Sequence, residues 1–161
     1  MNINKRKISY FYDDRIGNYN YGDKHPMKLN RQRLTDHLIQ KFQLYKKMRV
    51  FSEINLLTAD EMVKFHDEEY IDFLQKIKPA NEALFKAEKE KFFDQSFDPE
   101  DCPVFDRLFE FCQVYGGTSM RAAERLSLAE DDIVINWSGG AHHAKFNQAA
   151  GLKFNKTSTY F

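Results

Sequence analysis

Ile133-Val134-Ile135-Asn136-Trp137, running straight into Ser138-Gly139-Gly140-Ala141-His142-His143-Ala144-Lys145, is the stretch that decides how this chain is read. A near-continuous apolar run of strand length, bounded by Asp131-Asp132 and by Ser138-Gly139-Gly140, is the mark of a parallel strand covered on both faces. This predicts an α/β protein. In open α/β sheets ligands bind beyond the carboxyl ends of the strands. Here that end carries two glycines, which let the backbone turn tightly, and then two imidazoles, the side chains best suited to proton transfer near neutral pH. Neighbouring side chains diverge, so His142 and His143 are poor co-ligands of one metal. They read as acid–base machinery beside a metal or electrophile supplied elsewhere. Two loop histidines with no role fit the same residues equally well.

Outward from that stretch the elements alternate. Ile8-Ser9-Tyr10-Phe11-Tyr12 is a second strand, stopped by Asp13-Asp14. Residues 13–30, with Gly17, Gly22, Pro26, Tyr19 and Tyr21, form a loop with aromatic anchors, the kind of segment that tends to carry sites. From Arg31 the period turns helical, with Leu34, Leu38, Phe42, Tyr45 and Met48 on one face. Thr58-Ala59-Asp60-Glu61 has the capping-box form and predicts a short helix through Met62 and Phe65. Asp67 caps the next, with Tyr70, Ile71, Leu74 and Ile77 inward and an end before Pro79. Residues 80–98 read as a surface excursion in which Lys86 to Lys91 is a solvated face. Beyond Glu100-Asp101-Cys102-Pro103 a long helical stretch carries Leu108, Phe109, Phe111, Cys112, Val114 and Tyr115, then Met120, Ala123 and Leu126, and Gly116-Gly117 interrupts it, marking either a bend or close packing. The Asp101 carboxylate can accept hydrogen bonds from a ligand's backbone N–H groups; a helix cap or solvated turn is the stronger reading of its composition. His25, His37 and His66 read as packing or surface residues.

Composition bounds the function classes. The 161 residues hold 24 Lys and Arg against 24 Asp and Glu, and zero net charge argues against nucleic-acid phosphate binding as the main activity. With 42% apolar residues, one domain can build a core without disulfide staples. No apolar run approaches the roughly 20 residues of a membrane span, and the amino terminus lacks the hydrophobic stretch of a secretory signal. Cys102 and Cys112 form no CxxC pair and read as buried or free thiols of a reducing compartment. The expectation is a soluble intracellular protein, with no membrane and no direct nucleic-acid partner.

Several stretches in order resemble the class I histone deacetylases. Tyr10-Phe11-Tyr12-Asp13 leading to Ile16-Gly17-Asn18-Tyr19, then Tyr21-Gly22 and His25-Pro26-Met27-Lys28, looks like that family's opening strand and first loop. Phe65-His66 with Glu69-Tyr70-Ile71-Asp72-Phe73-Leu74, and Glu100-Asp101-Cys102-Pro103-Val104-Phe105-Asp106 followed by Leu108-Phe109-Glu110-Phe111-Cys112, continue the match. Asn136-Trp137, Gly139-Gly140 and His142-His143-Ala144-Lys145 complete it. The resemblance implies a three-layer arginase/deacetylase α/β fold and zinc-dependent hydrolysis of N-acetyl-lysine in histone tails. By resemblance His143 is the general base, His142 its partner that hydrogen-bonds the water, Asp101 grips the substrate backbone, and Gly151 lies on the wall of the acetyl-lysine tunnel. Lys28 matches a basic position that contacts inositol phosphate. Corepressor-type partners and a nuclear, possibly also cytoplasmic, location follow in the same way.

The departures set the remaining expectations. Leu152 replaces a tunnel-lining Phe, Asn20 and Lys24 stand where a relative has His and Gly beside the inositol-phosphate position, and Arg107 replaces a common glycine. Residues 1–151 read as the amino-terminal part of a deacetylase domain and 152–161 as a divergent tail. The family's zinc ligands, an Asp-x-His pair and a still later Asp, belong to strands beyond those found here. No bound zinc and no deacetylase activity are therefore expected of this chain alone. Strand Ile133 to Trp137 is expected to keep an open edge, with residues 138–161 loosely held. The competing reading is a catalytically inactive interaction module that retains the family's partner-binding surface.

Overall fold

The computed structural model describes residues 5–96, 98, 101–140, 143–150 and 154. Three strands, β1 (Ile8–Phe11), β2 (Arg49–Phe51) and β3 (Ile133–Asn136), form one parallel sheet in the order β2-β1-β3. Ser9 faces Arg49 on one side and Val134 on the other, which fixes the register. In β1, Ser9, Tyr10 and Phe11 are all buried, as expected of a central parallel strand with both faces covered. The apolar run at 133–136 is parallel too, yet each of its residues is only half-buried. Among the described residues β3 pairs with β1 alone, so the covered strand is β1 and not β3.

The helices are α1 (Asn30–Lys41), α2 (Ala59–Met62), α3 (Glu68–Lys76), α4 (Lys86–Phe92) and α5 (Leu108–Ser127), with 3-10 turns at Asp14–Asn18, Leu44–Lys47 and Pro79–Phe85. Thr58 Oγ1 accepts from the Glu61 N–H at 3.2 Å while the Glu61 carboxylate accepts from the Thr58 N–H at 2.8 Å, the reciprocal cap read from the sequence. The helix it opens is a single turn that stops at Met62, short of Phe65. The Asp67 carboxylate caps α3 by accepting from the Tyr70 N–H at 3.2 Å. In α3, Tyr70, Ile71, Phe73 and Leu74 are buried, and Ile77 lies inward after them.

Helix α5 runs unbroken through Gly116-Gly117, so the pair marks close packing and not a bend. A Cβ on Gly117 would sit 2.6 Å from the Asn55 carbonyl oxygen. The chain entering α2 lies directly on the helix there: the Leu57 N–H donates to the Gln113 carbonyl at 3.1 Å, and Gln113 Nε2 donates to the Leu57 carbonyl at 2.9 Å. The helix is entered through Arg107 at φ +62°, a left-handed conformation that favours glycine. This accounts for the common glycine at that position. The arginine is held there by Glu110, whose carboxylate accepts from Nε at 2.6 Å, and by the Tyr19 ring below its guanidinium.

Residues 80–98 are less of an excursion than expected. Phe92 and Phe93 at the end of α4 enter the core, while the charged outer face is tied down by Lys91 to Glu69 at 2.6 Å and by Lys89 to Glu82. The main core gathers Tyr19 and Tyr21 of the first loop, the inner faces of α3 and α5, and Phe105 and Phe154.

Candidate functional site

The carboxyl end of β3 is fixed from the side by α5. Asn136 Nδ2 donates to Ser119 Oγ at 3.0 Å, and Ser119 Oγ donates to the Tyr115 carbonyl at 3.1 Å. The Asn136 side-chain oxygen accepts from both Ser138 N–H at 3.0 Å and Ser138 Oγ at 2.6 Å, folding the chain back on itself. Gly139 then passes so close that a Cβ would lie 2.7 Å from Ser119 Oγ, and Gly140 takes φ +84°. The glycines serve the tight turn read from the sequence. His142 lies outside the described residues. His143 emerges exposed, and the next residue, Ala144, is buried.

The described residues from Ala144 to Ala150 are firmly held, contrary to the expectation for 138–161. The Asp67 N–H donates to the Phe146 carbonyl at 3.2 Å, and that carbonyl also meets His66 Nδ1 at 2.8 Å. Lys145 Nζ reaches Asp94 at 2.6 Å. The Ala149 N–H donates to the Phe92 carbonyl at 2.8 Å, and the Asp94 N–H donates to the Ala149 carbonyl at 2.9 Å, completing a parallel bridge between Phe93 and Ala149. Hydrogen bonds from Lys145 and Ser96 pull the Asp94 carboxyl down to about 2. Phe154 is fully buried against Phe93 and Phe105, and its carbonyl accepts from the Tyr70 hydroxyl.

Asp101 sits in a helical turn, its N–H donating to the Asp98 carbonyl at 2.8 Å. It does not cap α5, which is entered six residues later through Arg107. Among the described residues nothing hydrogen-bonds its carboxylate, whereas its carbonyl meets His25 Nε2 at 3.3 Å. The Met27 N–H donates to His25 Nδ1 at 3.1 Å. An imidazole that accepts at Nδ1 carries its proton on Nε2, so His25 donates to Asp101 and ties the first loop to this turn. Tyr21 packs edge-on against the same ring, 4.7 Å between centroids, and burial beside the two cysteines pushes its phenol well above the ordinary tyrosine range.

The residues flanking Asp101 and those leading to Gly151 share one cleft of 640 Å³. It is lined by Asp98 and Cys102 on one side, Ala149 and Ala150 on another, and Phe93 and Lys86 between them. Gly151 itself lies outside the described residues. His143 does not line this cleft. Lys28 stands apart as well, exposed, with its ammonium donating to the carbonyls of Asp23 at 2.5 Å and Gly22 at 3.3 Å. The packing role expected of His25 holds, but its partner is hidden from sequence, because the Asp101 turn lies 76 positions away. The Asn136–Ser119 clamp carries one signal, a polar amide closing an apolar strand, that marks a side chain with a specific partner. Both cysteines are buried, and neither is in a disulfide. Among the described residues no three His, Cys, Asp or Glu side chains are grouped to hold a metal ion. The residues described do not fit a zinc site.

The histone deacetylase domain model matches residues 25–155. The chain belongs to the histone deacetylase family. It is 46% identical to histone deacetylase RPD3 of Saccharomyces cerevisiae over 148 residues, covering 92% of this chain and 33% of that protein. Histone deacetylase HDAC1 of Drosophila melanogaster is 45% identical over the same share of this chain and 27% of its own length. Histone deacetylase 1 of Homo sapiens is 44% identical, with 30% of its length covered. The chain thus spans about a third of the length of these relatives. It corresponds to the amino-terminal part of a class I deacetylase, and its three-stranded parallel sheet with flanking helices is an incomplete arginase/deacetylase α/β fold.

Proposed function

We propose that residues 1–151 form one side of a deacetylase site for N-acetyl-lysine in histone tails, acting in the nucleus within corepressor-type assemblies, and that 152–161 depart from the family. Membership of a family whose chemistry is zinc-dependent carries the reading. In it His143 takes a proton from water and returns one to the leaving lysine amine, and His142 hydrogen-bonds that water. The carboxylate of Asp101, without a hydrogen-bond partner among the described residues, accepts from substrate backbone N–H groups at the rim of the acetyl-lysine pocket, with His25 setting the turn that presents it. By resemblance to the family Gly151 belongs to the wall of the acetyl-lysine tunnel. Lys28 is the basic group toward inositol phosphate, although its ammonium is already occupied by loop carbonyls.

These residues alone supply bases and a backbone grip but no electrophile. Water ionises at about 15.7 without a bound metal and near 7 with one, a gap that an imidazole cannot close. This chain on its own is expected to bind no catalytic zinc and to turn over no substrate. The test is a hybrid in which residues 8–150 replace the aligned segment of the yeast relative RPD3. Deacetylation of an acetyl-lysine peptide by the hybrid, lost with His143→Ala and weakened mainly in KM with Asp101→Ala, supports the assignment. A folded hybrid indifferent to His143→Ala overturns it, and turnover by the 161-residue chain with stoichiometric zinc overturns the requirement for further residues.

A further inference from the structure

His66 is 1% exposed, and its ring is committed to the loop that carries His143. The Phe146 carbonyl meets His66 Nδ1 at 2.8 Å and also accepts from the Asp67 N–H at 3.2 Å. A carbonyl can only accept, so the imidazole donates from Nδ1, and both lone pairs of that oxygen are used. The His66 ring lies against Phe65 and Tyr70, at centroid separations of 4.8 and 5.8 Å. Asp67 caps α3, whose Tyr70, Ile71, Phe73 and Leu74 are buried, so both donors belong to an element that the core holds in place.

Phe146 stands three residues beyond His143, and its own side chain is largely exposed. The loop is therefore fastened here through its backbone and not by burying a ring. On the upstream side Asn136 and Ser119 fasten the same turn to α5 at 3.0 Å. The Lys145–Asp94 pair adds little, because the lysine side chain is more than half exposed. We propose that His66 is a positioning residue, whose Nδ1–H bond to the Phe146 carbonyl fixes the backbone from which His143 projects. This role rests on the reading of His143 as general base, for which a displacement of about 1 Å costs about a hundredfold in rate. His66 acts through that bond and not on the substrate.

Two variants separate the bond from the bulk of the ring. His66→Phe keeps a ring and deletes the donor, whereas His66→Asn gives up most of the ring but places an amide N–H near the position of Nδ1. In the 161-residue chain, hydrogen–deuterium exchange of amides 144–149 should quicken about tenfold in His66→Phe, as for the loss of one buried hydrogen bond. Peptides from α5 should stay as protected as before, and His66→Asn should restore most of the protection of the loop. In the hybrid with RPD3, His66→Phe should lower kcat per folded enzyme by roughly tenfold to a hundredfold with KM held within about twofold, and His66→Asn should recover kcat. Unchanged exchange of the loop in His66→Phe overturns the proposal, and so does loss of α5 protection in both variants alike, which assigns His66 to the core as a whole. A hybrid that is inactivated by His143→Ala but keeps its kcat with His66→Phe overturns the positioning role alone. A hybrid indifferent to His143→Ala overturns the general-base reading instead, and the exchange data then decide by themselves whether His66 holds the loop.

Discussion

Helices α1 and α5 are both amphipathic in sequence, and the structure uses their faces in opposite ways. Along α5, Leu108, Phe111, Cys112, Val114 and Tyr115 are buried to within about 1% of full enclosure, and Thr118 joins them by donating to the Val114 carbonyl at 2.7 Å. Along α1 the inner positions are Gln32 and Ile39 while the leucine stripe points out. Periodicity tells that a chain segment coils and has two faces; it does not tell which face meets the core. α5 is an internal beam, held by the first loop, by the chain entering α2 and by β3. α1 contacts its own neighbours through a thin inner edge and leaves its broad apolar side exposed.

The sharpest way to break this contrast is to truncate the beam. Phe111 touches Tyr19, Tyr21, Phe105 and Tyr115 with ring centroids 4.7 to 5.7 Å apart. Removing so enclosed a ring costs the lost transfer energy plus an unfilled cavity, about 3–5 kcal/mol. Phe111→Ala should therefore lower the urea midpoint severely or prevent folding. A loss below about 1 kcal/mol would show that α5 is not the centre of the core.

Close approach gives the next effect. Gly117→Ala places a methyl group 2.6 Å from the Asn55 oxygen and 3.0 Å from the Leu57 nitrogen, both backbone atoms. Neither can rotate aside, so the connection must lift off the helix, at a cost of about 2–3 kcal/mol. Intrinsic helix propensity works the other way, since alanine outranks glycine in a helix by about 1 kcal/mol. Net stabilisation on chemical unfolding would show that the contact yields and that glycine is dispensable here.

Local rules reach the parts of this molecule that local physics decides. Thr58 and Asp67 declare their caps, and Ile8 to Phe11 and Ile133 to Asn136 their strands, because a cap or a strand is written within a few residues. β2 is not legible in this way, since Arg49-Val50-Phe51 is too short to show a period and exists only because Ser9, Tyr10 and Phe11 offer it a partner. The orientation of α1 is illegible because a period is the same whichever face turns inward. In the candidate site, the double glycine and His143 are readable as a strand-end turn bearing an imidazole. The union of His25 with the Asp101 turn, and the cleft shared by Cys102 and Ala149, join positions tens of residues apart, which no local pattern encodes.

The far end of α5 supplies a prediction in pH. Asp131 is buried; that burial alone would raise its carboxyl, but hydrogen bonds from Arg125 and from Ser9 Oγ at 2.6 Å outweigh it and hold the group below the usual carboxylate range. A group depressed in the folded state contributes stability that is complete above its unfolded value near 4 and is lost as pH falls through its folded value. Stability should thus be level from neutral pH down to about 5 and decline below about 4. Asp131→Asn should cost about 1–2 kcal/mol at pH 7 and make that acid decline shallower, as followed by denaturant unfolding at a series of pH values. An acid limb of unchanged steepness would mean that the decline arises from the other carboxyls held down in the folded state, Asp13, Glu61, Asp94 and Glu110.

The smallest effect is the one that tests the α1 side of the contrast. Leu38→Ala and Phe42→Ala remove more than half-exposed side chains, so little area returns to water and no cavity opens; each should change stability by no more than about 0.5 kcal/mol. The same truncation at Phe111 removes a similar number of carbon atoms and is expected to cost several times more, so burial and not chemistry separates the two. A cost above about 1.5 kcal/mol at Phe42 would mean that the stripe packs within this chain in solution, and the face would no longer be exposed. A small gain in solubility with unchanged stability is what an exposed apolar face predicts, because its apolar atoms then contribute nothing to the fold that carries them.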